Sequence, residues 1–423
     1  MTDVKIANIQ IVELLMIAII LTSLLNFLIK GKYNLHHKLK VYVGQYFVFF
    51  LFLILLTIIS FDQIFFIPPL VNNSLLQRPV IISLARFIQL FLVMMVSVII
   101  VKSLYRYKNL LNYFVNTYVV VGTMNAIYGI ISYFLLLLFN INIGGAYLSG
   151  GYQERVSGFF IEGGPFGLYL ISVLIVTLFR RSFLKNGKNF SNNFILLIQF
   201  FAMILTQSKA AIIALIFLGI FTLLIHINTK KIMYGLILTL SLLFVLLKTQ
   251  PGQNMIALAK NYQTLFKLIV IENTIPINSF NLSGGRASGL LLVPAMVSAN
   301  PLFGVGLGNY SLVRNDPKYL QRLPSVDFWD LSGLGLLGYV AEMGIPLFLL
   351  FFYILFKPFI WIYRMGGRGI LLILASTQLV LHLFGAQITF LYPWLVSAIC
   401  MGYIHGGTQN FYRSLANKPS LSH

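Results

Sequence analysis

Three basic residues and two carboxylates in this chain have the types and spacing for group-transfer chemistry. Arg155 opens Arg155-Val-Ser-Gly-Phe-Phe-Ile-Glu162-Gly-Gly-Pro165, Lys209 follows Thr206-Gln-Ser208 between two apolar runs, and Arg286 lies in Ser283-Gly-Gly-Arg286-Ala-Ser-Gly289. Arg forks onto phosphate oxygens and Lys supplies a point charge, so together the three would suit a lipid phosphate or pyrophosphate at a membrane-water boundary. The small residues around Arg286 permit close backbone approach, and a helix starting there would add free N-H donors for an anion. Plainer readings stand beside this one: Lys209 as a snorkelling helix-end Lys, and Arg286 as a solvated loop Arg. Glu162, seven residues after Arg155, and Asp330, at the mouth of an apolar run, are candidate general bases if desolvation raises their basicity, or else partners of nearby cations.

Other polar residues are less readily assigned. Glu342 lies inside an apolar run beside Gly338, Gly344 and Pro346, where an ionisable group is a functional candidate by default and a structural ion pair or backbone hydrogen bond is the alternative. Arg86 and Glu13, also in apolar runs, read as a mutual pair or as snorkelling residues. Gly304-Val-Gly306-Leu-Gly308 lacks the spacing and the preceding strand of a dinucleotide fingerprint. His226, His382 and His405 have no carboxylate or Cys at ligand spacing, so neither a metal nor a bound cofactor is expected.

The elements that must position these residues are membrane spans. With 58% hydrophobic and only 9% charged residues, against about 25% charged in soluble domains, a water-soluble enzyme is excluded. Apolar runs near bilayer-spanning length occur at 9–29, 41–60, 80–101, 114–139, 165–179, 194–207, 210–228, 232–247, 331–356, 369–385 and 391–404. Eighteen of the thirty Lys and Arg residues fall in 30–40, 102–113, 180–193, 229–231, 357–368 and 405–423, none of which contains Asp or Glu. The positive-inside rule makes these stretches cytoplasmic. The alternating segments carry Asp62, Glu154, Glu162, Glu272, Asp316, Asp327 and Asp330, so charged-site chemistry is expected on the outer side.

With the C-terminal tail inside, eleven runs place the N-terminal residues outside, and run 9–29 reads as a retained spanning helix. The net charge of +20 is explained by orientation and anionic headgroups, not by nucleic acid. A single Cys400 provides neither a disulfide framework nor a Cys metal site. The expectation is one integral membrane domain over 1–423, all-α and polytopic, with about 11–12 transmembrane helices. Its long outer segment, 248–330, is expected to be a folded helical lid, with Leu290–Ala299 as an interfacial or re-entrant helix.

Several of these pieces, in this order, resemble the O-antigen ligase and polymerase superfamily of bacterial inner-membrane glycosyltransferases. Arg155-Val-Ser-Gly-Phe-Phe-Ile-Glu162 is similar to the family's Arg-x-x-Gly-x-Phe-x-Glu/Asn stretch, and Thr206-Gln-Ser-Lys209-Ala to its Thr-x-Ser-Arg/Lys helix start. Gly285-Arg286 followed by Asn300-Pro-Leu-Phe-Gly-Val-Gly-Leu-Gly308-Asn resembles its outer-loop signature, and Gly338-Tyr-Val-Ala-Glu342-Met-Gly344-Ile its post-loop helix. The resemblance runs from about residue 145 to 350.

It implies a GT-C-like fold with a large periplasmic loop, a multi-pass location in the inner membrane with the active site facing the periplasm, and transfer of a glycan from undecaprenyl pyrophosphate to a sugar hydroxyl. Arg155, Lys209 and Arg286 would then hold the leaving pyrophosphate without metal or nucleotide sugar. Partners would be the bilayer, the undecaprenyl-pyrophosphate-linked oligosaccharide and a polysaccharide chain-length regulator. Ligases of the superfamily carry a His eleven residues before the glycine matching Gly344, and here that position is Gly333. Its absence, with Glu at 162, favours an O-antigen polymerase over a ligase acting on lipid A-core. A transporter of charged lipids would place polar residues at the midplane of several helices and show repeat symmetry; here charge collects at the outer face.

Overall fold

A computed structural model describes residues 5–6, 9–30, 37–59, 79–107, 109–149, 153–184, 189–225, 286–314, 316–320, 335–367 and 369–416. After a minimal antiparallel pairing of β1 (Lys5–Ile6) with β2 (Ile9–Gln10) come α1 (Ile11–Lys30), α2 (His37–Ile59), α3 (Pro79–Arg106) and α4 (Leu110–Phe139). The hairpin of β3 (Ala146–Ser149) and β4 (Gln153–Val156) leads to α5 (Gly163–Phe183), α6 (Asn189–Leu205) and α7 (Lys209–Ile225). Next come α8 (Arg286–Ala299), two single-turn helices, α9 (Tyr310–Val313) and α10 (Pro317–Leu320), and then α11 (Leu336–Arg364), α12 (Ile370–Leu383) and α13 (Leu391–Ala416). Ten of the eleven apolar runs are helical over most of their described residues; run 232–247 lies outside the described residues.

Among the described residues, Val80–Arg106, Leu110–Phe139, Gly163–Phe183 and Leu336–Arg364 are long and apolar enough to cross a bilayer. Hydrocarbon cannot hydrogen-bond to a peptide group, so a chain of this composition must satisfy its backbone within helices. Phe47, Met124, Leu138 and Leu197 are exposed on the outside of the bundle, an arrangement suited to a lipid solvent. The protein is an all-α polytopic membrane protein.

Helix α5 forms the centre. Fifteen of its twenty-one residues are buried, and it packs against α4, α6, α7, α12 and α13. Polar residues tie it to its neighbours. The Gln199 amide donates to Thr123 Oγ1 at 2.9 Å, and its Oε1 lies 3.1 Å from Thr177 Oγ1, joining α4, α5 and α6. The Thr123 and Thr177 hydroxyls also donate to the carbonyls of Val119 and Val173 in their own helices. Gln199→Leu therefore leaves neither hydroxyl unsatisfied, and we expect a loss of only about 1 kcal/mol, read as a small drop in melting temperature in micelles.

The two ends of the bundle differ. At one end Lys357 Nζ contacts Gln45 Oε1 and lies over the Trp361 ring, and Arg180 and Arg181 donate to Asn192 and Asn193. The opposite end holds the β3–β4 hairpin, the α6–α7 turn, the start of α11 and the α12–α13 connection. A small separate core, including Leu292, Met296, Val305, Tyr310, Tyr319 and Ala341, seats the 286–320 segment on α11 there.

Candidate functional site

The α6–α7 turn is built by local hydrogen-bond chemistry. Gln207 takes a left-handed conformation (φ 50°) that ends α6. Ser208 then caps α7, its Oγ accepting the Ala211 N-H at 3.2 Å, while its own N-H donates to Thr206 Oγ1. This makes Lys209 the first residue of α7, half-buried at the helix mouth.

The β3–β4 hairpin docks on that turn. Arg155, paired across the hairpin with Tyr147, donates from Nε to the Thr206 carbonyl at 3.0 Å and from Nη2 to the Gln207 carbonyl at 3.2 Å. Gln207 returns a bond from Nε2 to the Glu154 carbonyl at 3.0 Å. A guanidinium has five N-H donors, so these two bonds fix the plane of Arg155 and leave three donors for a ligand. Arg155 and Lys209 are thus brought to one corner.

The remaining residues foreseen from sequence are less closely tied to it. Arg286 begins α8, and its side chain lies outside the described positions, as does the whole of Asp330. Glu162 stands at the N-cap of α5 in an extended conformation, exposed, and its carboxylate is not used to cap the helix. Pro165 fits the first turn of that helix, where its missing N-H costs nothing.

A second polar region at the same end involves residues that the sequence reading passed over or left undecided. Helix α11 is broken at Gly344 (φ 71°, ψ 170°), and the segment 300–306 is strapped across the break. Val305 N-H donates to the Ala341 carbonyl at 2.8 Å, Gly306 N-H to the Glu342 carbonyl at 3.0 Å, and Ile345 N-H to the Pro301 carbonyl at 2.8 Å. Backbone groups freed by the break are satisfied by the strap, as irregular backbone at membrane depth requires. The glycines of 304–308 serve this close packing and not a phosphate cradle: a Cβ on Gly304 would lie 2.5 Å from the carbonyl oxygens of both Ala341 and Glu342.

The strap then passes between α3 and α11. Ser83 donates to the Leu307 carbonyl at 2.9 Å, and Glu342 Oε1 accepts the Tyr310 N-H at 3.3 Å. On the far side Arg86 Nη1 lies 3.1 Å from Gln387 Oε1, 3.2 Å from Thr389 Oγ1 and 3.3 Å from Gln89 Oε1. Arg86 therefore neither snorkels nor relies on Glu13 for these bonds; it crosses to the α12–α13 connection. Glu342, Arg86, Tyr339, Gln387 and Thr389 line one cleft. The signal in the sequence was an ionisable residue in an apolar run, which Arg86 and Glu342 share. Gln387 and Thr389 carried no such mark.

The cleft and the hairpin corner lie at the same end, with an aromatic cluster between their elements. Phe160, five residues after Arg155, packs with Tyr169 and Tyr392, and Tyr392 follows Thr389 at the start of α13. Residues 194–352 match the family model described as O-antigen ligase. The match takes in the α6–α7 turn with Lys209, α8, the strap and α11 through the Gly344 break; Arg155, Glu162 and Arg86 lie before it. It supports O-antigen ligase/polymerase-type function, that of a glycosyltransferase-like membrane enzyme. No curated protein matches the chain.

Proposed function

We propose that this protein is an O-antigen polymerase, moving a growing glycan from undecaprenyl pyrophosphate to the non-reducing end of another undecaprenyl-pyrophosphate-linked repeat unit at the periplasmic face of the inner membrane. The observation that carries the reading is the anchoring of Arg155 on the carbonyls of Thr206 and Gln207. It brings one of the three cations beside the turn that presents Lys209, within the segment matched by the family model. The charge map supports an outward orientation of this end, because Arg180, Arg181 and Lys357 collect at the other.

In this mechanism Arg155, Lys209 and Arg286 hold the pyrophosphate and stabilise the charge that develops on it. As the acceptor hydroxyl attacks the anomeric carbon, the new glycosidic bond forms and the sugar-phosphate C-O bond breaks. The bonding electrons leave with undecaprenyl pyrophosphate, and the hydroxyl proton passes to Glu162; Asp330 is the second candidate base. No metal takes part in this scheme. A chain-length regulator would act on the extent of the ladder.

The test is reconstitution. Purified protein given only lipid-pyrophosphate-linked repeats should make a ladder of longer glycans, and transfer to added lipid A-core without a ladder would establish the ligase alternative instead. Glu162→Gln should lower turnover by about 100-fold, near the small end of the range for a positioned base because the carboxylate is exposed, with donor binding retained. Turnover within a few-fold of the parent would remove Glu162 from the mechanism.

A further inference from the structure

We propose that the cleft between α3, α11 and the α12–α13 connection is a neutral-sugar subsite that takes one hydroxyl-bearing edge of the acceptor sugar, with Glu342 and Arg86 as its polar walls. This rests on the polymerase reading for the identity of the sugar, but the cleft itself is argued from its own chemistry. Gly338 and Glu342 are one helical turn apart and line the same cavity. A Cβ on Gly338 would meet nothing within 4 Å, so the helix is bare where the cleft is open. The Glu342 carboxylate is oriented by the backbone N-H groups of Gly308 and Tyr310, which fix its direction, and its remaining lone pairs can accept from a ligand.

Opposite it, the Arg86 guanidinium is held in place by Gln387 and Thr389 through one nitrogen, and those two side chains face the cleft themselves. The wall therefore offers donors from Arg86, acceptor capacity from Glu342, and groups of both kinds from Gln387 and Thr389; the Tyr339 hydroxyl is taken up by the Ile388 N-H and the Ala386 carbonyl. A phosphate would meet the Glu342 carboxylate as well as the Arg86 guanidinium, so repulsion from one offsets attraction to the other. Sugar hydroxyls, which donate and accept at once and carry no charge, match the polar groups of both walls.

The experiment uses the full chain purified in micelles, with two probes: the repeat oligosaccharide freed of its lipid by mild acid, and undecaprenyl pyrophosphate without sugar. Binding is followed by saturation-transfer NMR and calorimetry. Wild type should bind both. Glu342→Gln should weaken oligosaccharide binding roughly tenfold or more, as expected for a lost hydrogen bond to a charged group, and leave undecaprenyl pyrophosphate binding unchanged.

Glu342 also supports the strap, so Gly338→Leu provides an independent variant: it fills the cleft from a position where a Cβ meets nothing within 4 Å and should abolish oligosaccharide binding, with the melting temperature measured alongside to show that the fold is kept. Equal oligosaccharide affinity in wild type, Glu342→Gln and Gly338→Leu would overturn the subsite. Loss of undecaprenyl pyrophosphate binding alone would overturn it too, marking an anion site. Oligosaccharide binding that is sensitive to both substitutions, in a protein that makes no ladder, would keep the subsite and sink the polymerase reading.

Discussion

Arg155→Ala is expected to leave no detectable glycan ladder, a fall in turnover of about 1,000-fold or more. The substitution removes a charge-assisted contact to the leaving pyrophosphate, and loss of a single such donor already costs about 10²- to 10³-fold. It also releases the two bonds that hold the hairpin on the α6–α7 turn. Gln207→Ala separates the two contributions: it deletes the bond from Gln207 Nε2 to the Glu154 carbonyl and keeps the cation. That variant should retain most activity if charge dominates. Lys209→Ala and Arg286→Ala should act in the same direction as Arg155→Ala, and Arg286→Lys should rescue only in part because a point charge lacks the fork. Near-normal rates in two of the three Ala variants, at normal protein levels, would show that these are ordinary boundary cations.

The largest expected effect on stability comes from Gly304→Ala and Gly344→Ala. Both glycines have positive φ, 66° and 71°, and a Cβ on either would lie within 2.5 Å of carbonyl oxygens across the strap. Backbone oxygens cannot swing aside as side chains do, so the strap must lift and uncover the Ala341 and Glu342 carbonyls. A cost of about 4 kcal/mol or more is expected for each variant, read as collapse of the monodisperse yield or a large drop in melting temperature. Gly366→Ala is the control. Its φ is also 71°, but open space surrounds the new methyl, so only the local strain of about 1–2 kcal/mol applies. Equal losses at 304 and 366 would show that conformation, and not the strap, sets the penalty.

Architecture was legible in the sequence because hydrocarbon leaves the chain few options. Apolar runs such as 114–139 and 194–207 became α4 and α6, the helices starting four and five residues before the runs. The turn before Lys209 was legible as well, since Ser208 is a strong helix cap and stands between two such runs. What periodicity could not reveal was pairing between distant segments. Nothing in Arg155 itself announces the Thr206 and Gln207 carbonyls, and nothing in Gly304-Val-Gly306 announces a break forty residues later at Gly344. From sequence Arg86 reads as a partner of Glu13 or as a snorkelling residue, because the acceptors that cross to it are neutral, an amide and a hydroxyl some three hundred positions away. Opposite charges can be matched by eye along a chain; an Arg held by Gln387 and Thr389 cannot.

The strap also bears on how the protein is made. Because residues 300–306 precede α11 in the chain, they leave the ribosome before the broken helix does. When Ala341, Glu342 and Ile345 reach the bilayer, the segment that satisfies their free backbone groups has already been translated, so the break need never meet lipid unpartnered. Moving the strap behind α11, by circular permutation within this region, would reverse that order. The helix would then wait in the membrane with its carbonyls open, and insertion would stall even though every residue of the final fold were present.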